Sequence, residues 1–162
     1  NLKFLKGVVH EDIPFGHMLI YYVNEIYIYS EPLYNHRIRP GSITTSSNIR
    51  NCYSLIESLR LDKLFVNLHV KGDDKVWYIP LLYDYFYEIF LRIYPFVGTE
   101  YYKSFMSEYG LFLKKEIKSL KGYLSFKRYM LLCICNMFPR LFSSLLYLKR
   151  NWRKRFTISL YG

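Results

Sequence analysis

Cysteine is scarce in this chain, and the few cysteines are not spaced for disulfide or metal chemistry. The 162 residues include Cys52, Cys133 and Cys135, an odd number with no Cys-x-x-Cys pair. This pattern predicts neither a disulfide framework nor a zinc site, and it favours a reducing compartment. The opening residues do not have the pattern of a secretory signal. We expect the chain to be a fragment whose N-terminal portion lies upstream of Asn1.

Acidic residues are scarce in the last third of the chain. Residues 111–162 hold twelve basic residues and one acidic residue, Glu116, whereas residues 1–110 hold eleven basic and twelve acidic residues. The whole excess of charge, +10 at pH 7, therefore belongs to the C-terminal end. Such an asymmetry indicates a polyanionic partner for that end, either a membrane leaflet rich in acidic lipid or nucleic acid.

What the chain does contain is enough apolar material for a core. Hydrophobic residues make up 51% and charged residues 22%, which excludes both a disordered chain and a multi-span membrane protein. Aromatic residues reach 20%, led by 18 Tyr. Because Tyr has an apolar ring and a polar hydroxyl, it suits boundaries between apolar and wet surroundings.

The hydrophobic pattern predicts a mainly α protein with a small β portion, an α+β fold. A short helix is predicted at Glu11–Val23, followed by two pairing strands at Glu25–Tyr29 and Leu33–Ile38. Thr44–Ser47 offers hydroxyl side chains as helix caps. The remainder is predicted to form helices at Asn48–Phe65, Pro80–Tyr94 and Glu100–Leu120, then a final segment from Tyr123 that is broken at Pro139.

Two stretches carry the functional signal. Residues 7–15 are Gly-Val-Val-His-Glu-Asp-Ile-Pro-Phe, and residues 34–45 are Tyr-Asn-His-Arg-Ile-Arg-Pro-Gly-Ser-Ile-Thr-Thr. Together they resemble the second half of the catalytic domain of family 2 glycosyltransferases, the inverting GT-A enzymes that build bacterial polysaccharides. In that family a Glu-Asp pair opens a short helix facing the acceptor, and a Tyr-x-Tyr-Arg-x-Arg-x-x-Ser-Ile-Thr stretch follows. His36 replaces the second Tyr here.

The resemblance implies roles for five residues. Asp12 would be the base that takes the proton from the acceptor hydroxyl as it attacks the anomeric carbon. Glu11 would either contact the acceptor or complement the helix dipole, and His10 adjoins the base on the substrate side. Arg37 and Arg39 would contact the diphosphate of the nucleotide-sugar donor. Because they alternate on the predicted strand, at most one of them reaches the diphosphate directly.

The same resemblance predicts the organisation of the chain. Residues 1–47 would be the C-terminal remnant of a GT-A α/β domain, and residues 48–162 a helical extension. A divalent metal, Mg²⁺ or Mn²⁺, is implied, with its ligands in the upstream half that would carry the Asp-x-Asp motif. Asp73-Asp74 are predicted to lie in a solvated turn and not to form that motif. Without the donor-binding half, we expect this fragment alone to be inactive.

The C-terminal end predicts contact with a membrane. Residues 129–148 contain one charged residue, Arg140, and lie between basic clusters at 127–128 and 149–155. Their length allows a spanning helix, but Asn136, Pro139 and Arg140 favour a helix pair in the plane of an anionic surface. The alternative is that the apolar residues pack on the preceding helices and the basic tail is solvated.

Two hypotheses of different classes therefore follow. The first is a transferase at the cytoplasmic face of a bacterial membrane, with a nucleotide-sugar donor, a glycan or lipid-linked acceptor and no nucleic acid partner. The second is a non-enzymatic basic helical module that binds nucleic acid or a partner protein, since interleaved aromatic and basic residues stack on single-stranded bases.

Overall fold

The computed structural model describes residues 2–4, 6–35, 37, 39, 48–142 and 144. They form two compact units, the first ending at Tyr78 and the second beginning at Ile79. A helical turn occurs at residues 139–142. The longer elements are α1 (Asp12–Tyr22), α2 (Ile49–His69), α3 (Tyr78–Ile93), α4 (Glu100–Ser119) and α5 (Phe126–Met137), with 3₁₀ helices at Gly72–Trp77 and Tyr94–Phe96.

The predicted α+β fold class is wrong, because the described part of the chain is all-α and contains no strand. Glu25–Tyr29, predicted as a strand, has exposed side chains, with Tyr27 89% and Ile28 95% accessible. Residues 33–35 and 37 of the second predicted strand likewise form none. Branched and aromatic residues favour a strand only where a neighbour supplies the hydrogen bonds, and no described residue does so. His36, Ile38 and Thr44–Ser47 lie outside the described residues.

The first unit is built on α2, with α1 packed against it. The predicted helix at Glu11–Val23 is confirmed as α1, which is one residue shorter at each end. The predicted helix at Asn48–Phe65 is confirmed as α2, which continues one turn further to His69. Asn48 is its N-cap, because the side-chain Oδ1 accepts the Arg50 N–H at 2.9 Å.

The second unit has the regular apolar faces that its sequence predicts. One face of α3 buries five apolar residues, and α4 buries Phe105, Tyr109, Leu113 and Ile117 in the same way. Each fully buried side chain of this size contributes about 1.5 to 3 kcal/mol. Gly122, with φ +90°, follows the end of α4 in the left-handed conformation that glycine favours. The five α3 residues are Leu82, Phe86, Ile89, Phe90 and Ile93.

The break predicted at Pro139 is confirmed. Helix α5 ends at Met137, and Phe138 leaves the helix with φ −128° and ψ 62°. A residue that precedes proline is pushed out of the helical region by contact with the proline ring. In the described part of the chain, no helix is both long and apolar enough to cross a membrane. Residues 145–162, which hold the basic tail, lie outside the described residues.

Candidate functional site

The Glu-Asp pair lies where helix α1 begins. Glu11 is the N-cap residue, and Asp12 is the first residue of the helix. The carboxylate of Asp12 is exposed, whereas Glu11 and His10 are half-buried. Glu11 makes no capping hydrogen bond with its side chain. The pair therefore opens a short helix, as predicted, and Asp12 is open to a ligand from solvent.

The backbone just before the pair adopts an uncommon conformation. His10 has φ +71°, in the left-handed region that a side chain other than glycine seldom occupies. Its carbonyl oxygen accepts the Ile13 N–H at 3.3 Å, which closes the turn into α1. A non-glycine residue in this region costs about 1 to 3 kcal/mol and persists where surrounding contacts over-determine it.

Those contacts come from one face of α2. Ser54, Ser58 and Asp62 are buried and spaced by four residues, so they form a line along the helix that we call the polar stripe. Ser54 Oγ accepts the Val9 N–H at 3.2 Å. Ser58 Oγ donates to the His10 carbonyl at 3.3 Å. The stripe therefore holds backbone groups on both sides of the His10 turn.

The third member of the stripe links α2 to the middle of α1. Asp62 Oδ2 lies 2.6 Å from His17 Nδ1, although the two residues are 45 positions apart in the sequence. The Asp62 side chain is fully buried and that of His17 is 17% exposed. Because a buried carboxylate is costly without close partners, the contact with His17 offsets part of the cost of burying Asp62.

The C-terminal end of α1 is held by aromatic residues. Tyr21 donates its hydroxyl to the His69 carbonyl at 2.8 Å, and its ring meets the edge of Phe65 at 5.4 Å. Tyr22 also contacts Phe65, with ring centroids 5.7 Å apart. A cavity of about 630 Å³ adjoins this cluster, lined by Leu2, Met18, Tyr22, Phe65 and His69. Glu11 and Asp12 do not line it.

The two predicted arginines lie in a different segment from the Glu-Asp pair. Arg37 and Arg39 are exposed, and residues 36, 38 and 40–47 around them lie outside the described residues. Since residues 37 and 39 form no strand, the argument that strand alternation directs them to opposite faces is wrong. The structure therefore joins His10, Glu11 and Asp12 in one turn and holds the arginines in a separate exposed stretch.

The implied divalent metal has no ligand set among the described residues, where no group of three His, Cys, Asp or Glu side chains could hold an ion. The side chains of Asp73 and Asp74 lie outside the described residues, and their backbone belongs to the 3₁₀ helix at Gly72–Trp77. We derive no step of a reaction through a metal. Upstream ligands remain a prediction.

The polar stripe and His17 are not among the site residues that the sequence predicts. The apolar residues of α2 predict its helical structure, and Ile56 and Leu59 are buried as part of its apolar face. The sequence does indicate the stripe in one respect. Ser54, Ser58 and Asp62 are spaced by four residues, which indicates a polar line on an otherwise apolar helix. Nothing in that spacing identifies Val9, His10 and His17 as the partners.

The chain was also compared with family models, curated proteins and solved structures, and it matches none of them. Its function is therefore inferred from the residues and contacts described above.

Proposed function

We propose that this chain is part of an inverting glycosyltransferase that moves a sugar from a nucleotide-sugar donor to a glycan or lipid-linked acceptor in bacterial polysaccharide biosynthesis. The placement of Asp12 carries the proposal. Its carboxylate is exposed at the start of α1, and the turn before it is tied to buried side chains of α2. A general base has to be both accessible and held in place.

The resemblance to family 2 glycosyltransferases implies the reaction. The acceptor hydroxyl oxygen forms a bond to the anomeric carbon while the bond from that carbon to the donor diphosphate breaks. The hydroxyl proton moves to the Asp12 carboxylate, and the electron pair of the broken bond stays on the diphosphate. Attack from the opposite face inverts the configuration. Arg37 and Arg39 would bind the negatively charged diphosphate, and His10 and Glu11 would contact the acceptor.

The first test replaces the proposed base. Asp12→Asn, made in the protein expressed from its complete reading frame, should lower the transfer rate by about 10²- to 10⁴-fold and leave donor binding intact. Asp84→Asn is the matched control, because Asp84 is also an exposed carboxylate on a helix. Transfer by Asp12→Asn within a few-fold of wild type would assign Asp12 to starting the helix and would contradict the proposal.

The second test concerns the donor diphosphate. Arg37→Ala and Arg39→Ala, made separately, should weaken nucleoside diphosphate binding, measured by calorimetry on the complete protein. Arg60→Ala is the control, since Arg60 is an exposed arginine that pairs with Glu57 at 2.9 Å on α2. Negligible losses from both substitutions would mean that neither arginine meets the donor.

Residues around α5 support a peripheral position on the cytoplasmic face of a membrane. Phe126 is 78% exposed and Phe138 is 54% exposed. Lys127 and Arg128 are exposed beside Phe126, as is Arg140 near Phe138. Exposed apolar residues next to cations are typical of helices that lie in the interface of an anionic leaflet.

Vesicle co-sedimentation tests this position. The protein should bind vesicles with acidic lipid more than neutral ones, and binding should fall as salt screens the charges. The double substitution Phe126→Ser with Phe138→Ser should release much of it, whereas Leu111→Ser, at an 81% exposed residue of α4, should not. Salt-sensitive retention on single-stranded nucleic acid without vesicle binding would instead favour a nucleic-acid-binding module. The contribution of the basic tail to vesicle binding is measured in a separate variant, in which five basic residues are replaced by Gln: Lys149, Arg150, Arg153, Lys154 and Arg155.

A further inference from the structure

We infer that Ser54, Ser58 and Asp62, the polar stripe of α2, are positioning residues that set the orientation of Asp12 toward the reacting hydroxyl. The inference rests on the proposed function, because it gives the stripe a role in that transfer reaction. It assigns the role to residues that would not contact the substrate and that the resemblance to glycosyltransferases does not include.

The contacts of the stripe bracket the Glu-Asp pair. Ser54 and Ser58 bind backbone groups of Val9 and His10, directly before the pair, and Asp62 binds His17, one and a half turns into α1. The partners advance along the chain in the same order as the stripe, so α1 lies along α2 in the same general direction. The position and the direction of the helix that begins at Asp12 are therefore both tied to α2.

Backbone strain adds to this argument. The left-handed conformation of His10 would relax unless neighbouring contacts held it. The two serine hydroxyls bind the amide of Val9 and the carbonyl of His10, which lie on either side of the strained dihedral. A relaxed turn would redirect the first residues of α1, and with them the Asp12 carboxylate.

Apolar packing does not hold this geometry by itself. Among the eleven residues of α1, all of them described, Pro14 is the one that is buried. Leu19 and Ile20 are 43% and 57% exposed. Apart from Tyr21 and Tyr22, which contact Phe65 at the far end of the helix, little apolar surface holds α1 on α2, so the directional hydrogen bonds of the stripe set the orientation of its N-terminal end. A shift of about 1 Å at a catalytic group can cost about 10²-fold in rate.

Hydrogen exchange tests the anchoring without an activity assay. In Ser54→Ala, the Val9 amide loses its acceptor and should exchange about tenfold faster, and Ser58→Ala should do the same for the Ile13 amide at the end of the turn. Ser119→Ala is the matched control, because Ser119 donates to the Glu116 carbonyl at 2.7 Å on α4. Unchanged exchange in residues 9–13 of both stripe variants would overturn the inference.

Kinetics separate positioning from simple stabilisation. Ser58→Ala should lower kcat about 10- to 100-fold per folded molecule without changing KM for the donor. In the Asp12→Asn background the same substitution should cost less than about twofold, because the group through which Ser58 acts is gone. Ser54→Thr keeps the acceptor oxygen and should retain most of the rate that Ser54→Ala loses.

The outcomes are distinguishable. Equal losses from Ser58→Ala with and without Asp12 would mean that the stripe only stabilises the fold, which overturns the inference and leaves the proposed function standing. If the wild-type protein transfers no sugar from any donor, the proposed function fails and the catalytic half of the inference fails with it. Exchange in residues 9–13 still decides the anchoring in that case.

Discussion

Helix α1 of the first unit and helices α3 and α4 of the second unit are held in place by different kinds of contact. In the second unit, α3 and α4 bury a repeating apolar face, including Phe86, Ile89 and Phe105 at 0% exposure. In the first unit, the N-terminal half of α1 and the turn before it are held on α2 by hydrogen bonds with Ser54, Ser58 and Asp62, and the C-terminal end of α1 is held by Tyr21 and Tyr22 against Phe65. Apolar packing tolerates small shifts, whereas hydrogen bonds specify direction. The helix that begins at Asp12 is therefore oriented by directional hydrogen bonds, whereas α3 and α4 are held by apolar packing.

The largest loss of stability should come from a substitution in the second unit. Phe105 is fully buried in α4, so Phe105→Ala should lower the free energy of unfolding by about 3 to 5 kcal/mol through lost burial and a cavity. Leu111→Ala, at an exposed position of the same helix, should change it by less than about 0.5 kcal/mol. Urea unfolding measures both. A small loss at Phe105 would contradict the contrast between the units.

The next effect concerns the contact between His17 and Asp62 in the first unit. His17→Ala would leave the buried Asp62 carboxylate without this imidazole and should cost about 2 to 3 kcal/mol, below the usual range for a buried pair because His17 is partly exposed. Asn67→Ala serves as the comparison, because Asn67 is an exposed residue of α2. If both substitutions cost the same, measured by urea unfolding, the His17–Asp62 contact would not be what holds α1.

A smaller loss of stability is expected from substitutions at His10, whose backbone is strained. At His10, with φ +71°, Val should lower the stability by about 1 to 2 kcal/mol more than Asn, because β-branched residues tolerate the left-handed region poorly and Asn tolerates it well. The ranking is read from thermal unfolding of the two variants. Equal stability of the Val and Asn variants would mean that the turn relaxes freely, and the serine contacts would then matter less.

The smallest effect is a dependence of stability on pH in the second unit, which is absent at neutral pH. Burial raises the pKa of the Cys135 thiol from 9.0 to about 12. The unfolded thiol loses its proton near the lower value and the folded thiol near the higher one. The unfolded state therefore binds fewer protons between them, and stability should fall as pH rises from about 9 to about 12. Below that window Cys135 should contribute no pH dependence.

A matched variant tests this linkage. Cys135→Ala should show a shallower decline of the free energy of unfolding across the alkaline window than wild type, whatever its absolute stability. Ile134→Ala is the control, since Ile134 is the neighbour of Cys135 in α5 and carries no titratable group. An identical slope in wild type and Cys135→Ala would show that the thiol is not protected by folding.

The existence of the helices was predictable from local signals, although α2 ends one turn beyond its predicted end. The apolar period of α3 and α4 indicates which faces are buried, and a spacing of four residues lets Glu88 pair with Arg92 at 3.6 Å. The strand prediction at Glu25–Tyr29 was wrong, because local preference for a strand needs a hydrogen-bonded neighbour to take effect. Whether a segment pairs is decided by what lies beside it and not by its own residues.

The candidate site also combines features that are predictable from local sequence with features that depend on how the helices pack. That Glu11 and Asp12 begin a short helix can be read from the residues alone, since the apolar spacing of the residues that follow is local information. The left-handed backbone of His10, the two serine contacts to its neighbouring peptide groups and the contact of Asp62 with His17 depend on the folded arrangement of α1 and α2. The partners in these contacts are 45 to 48 residues apart, and hydrogen-bond geometry across such a distance depends on how two helices pack, which no local period encodes.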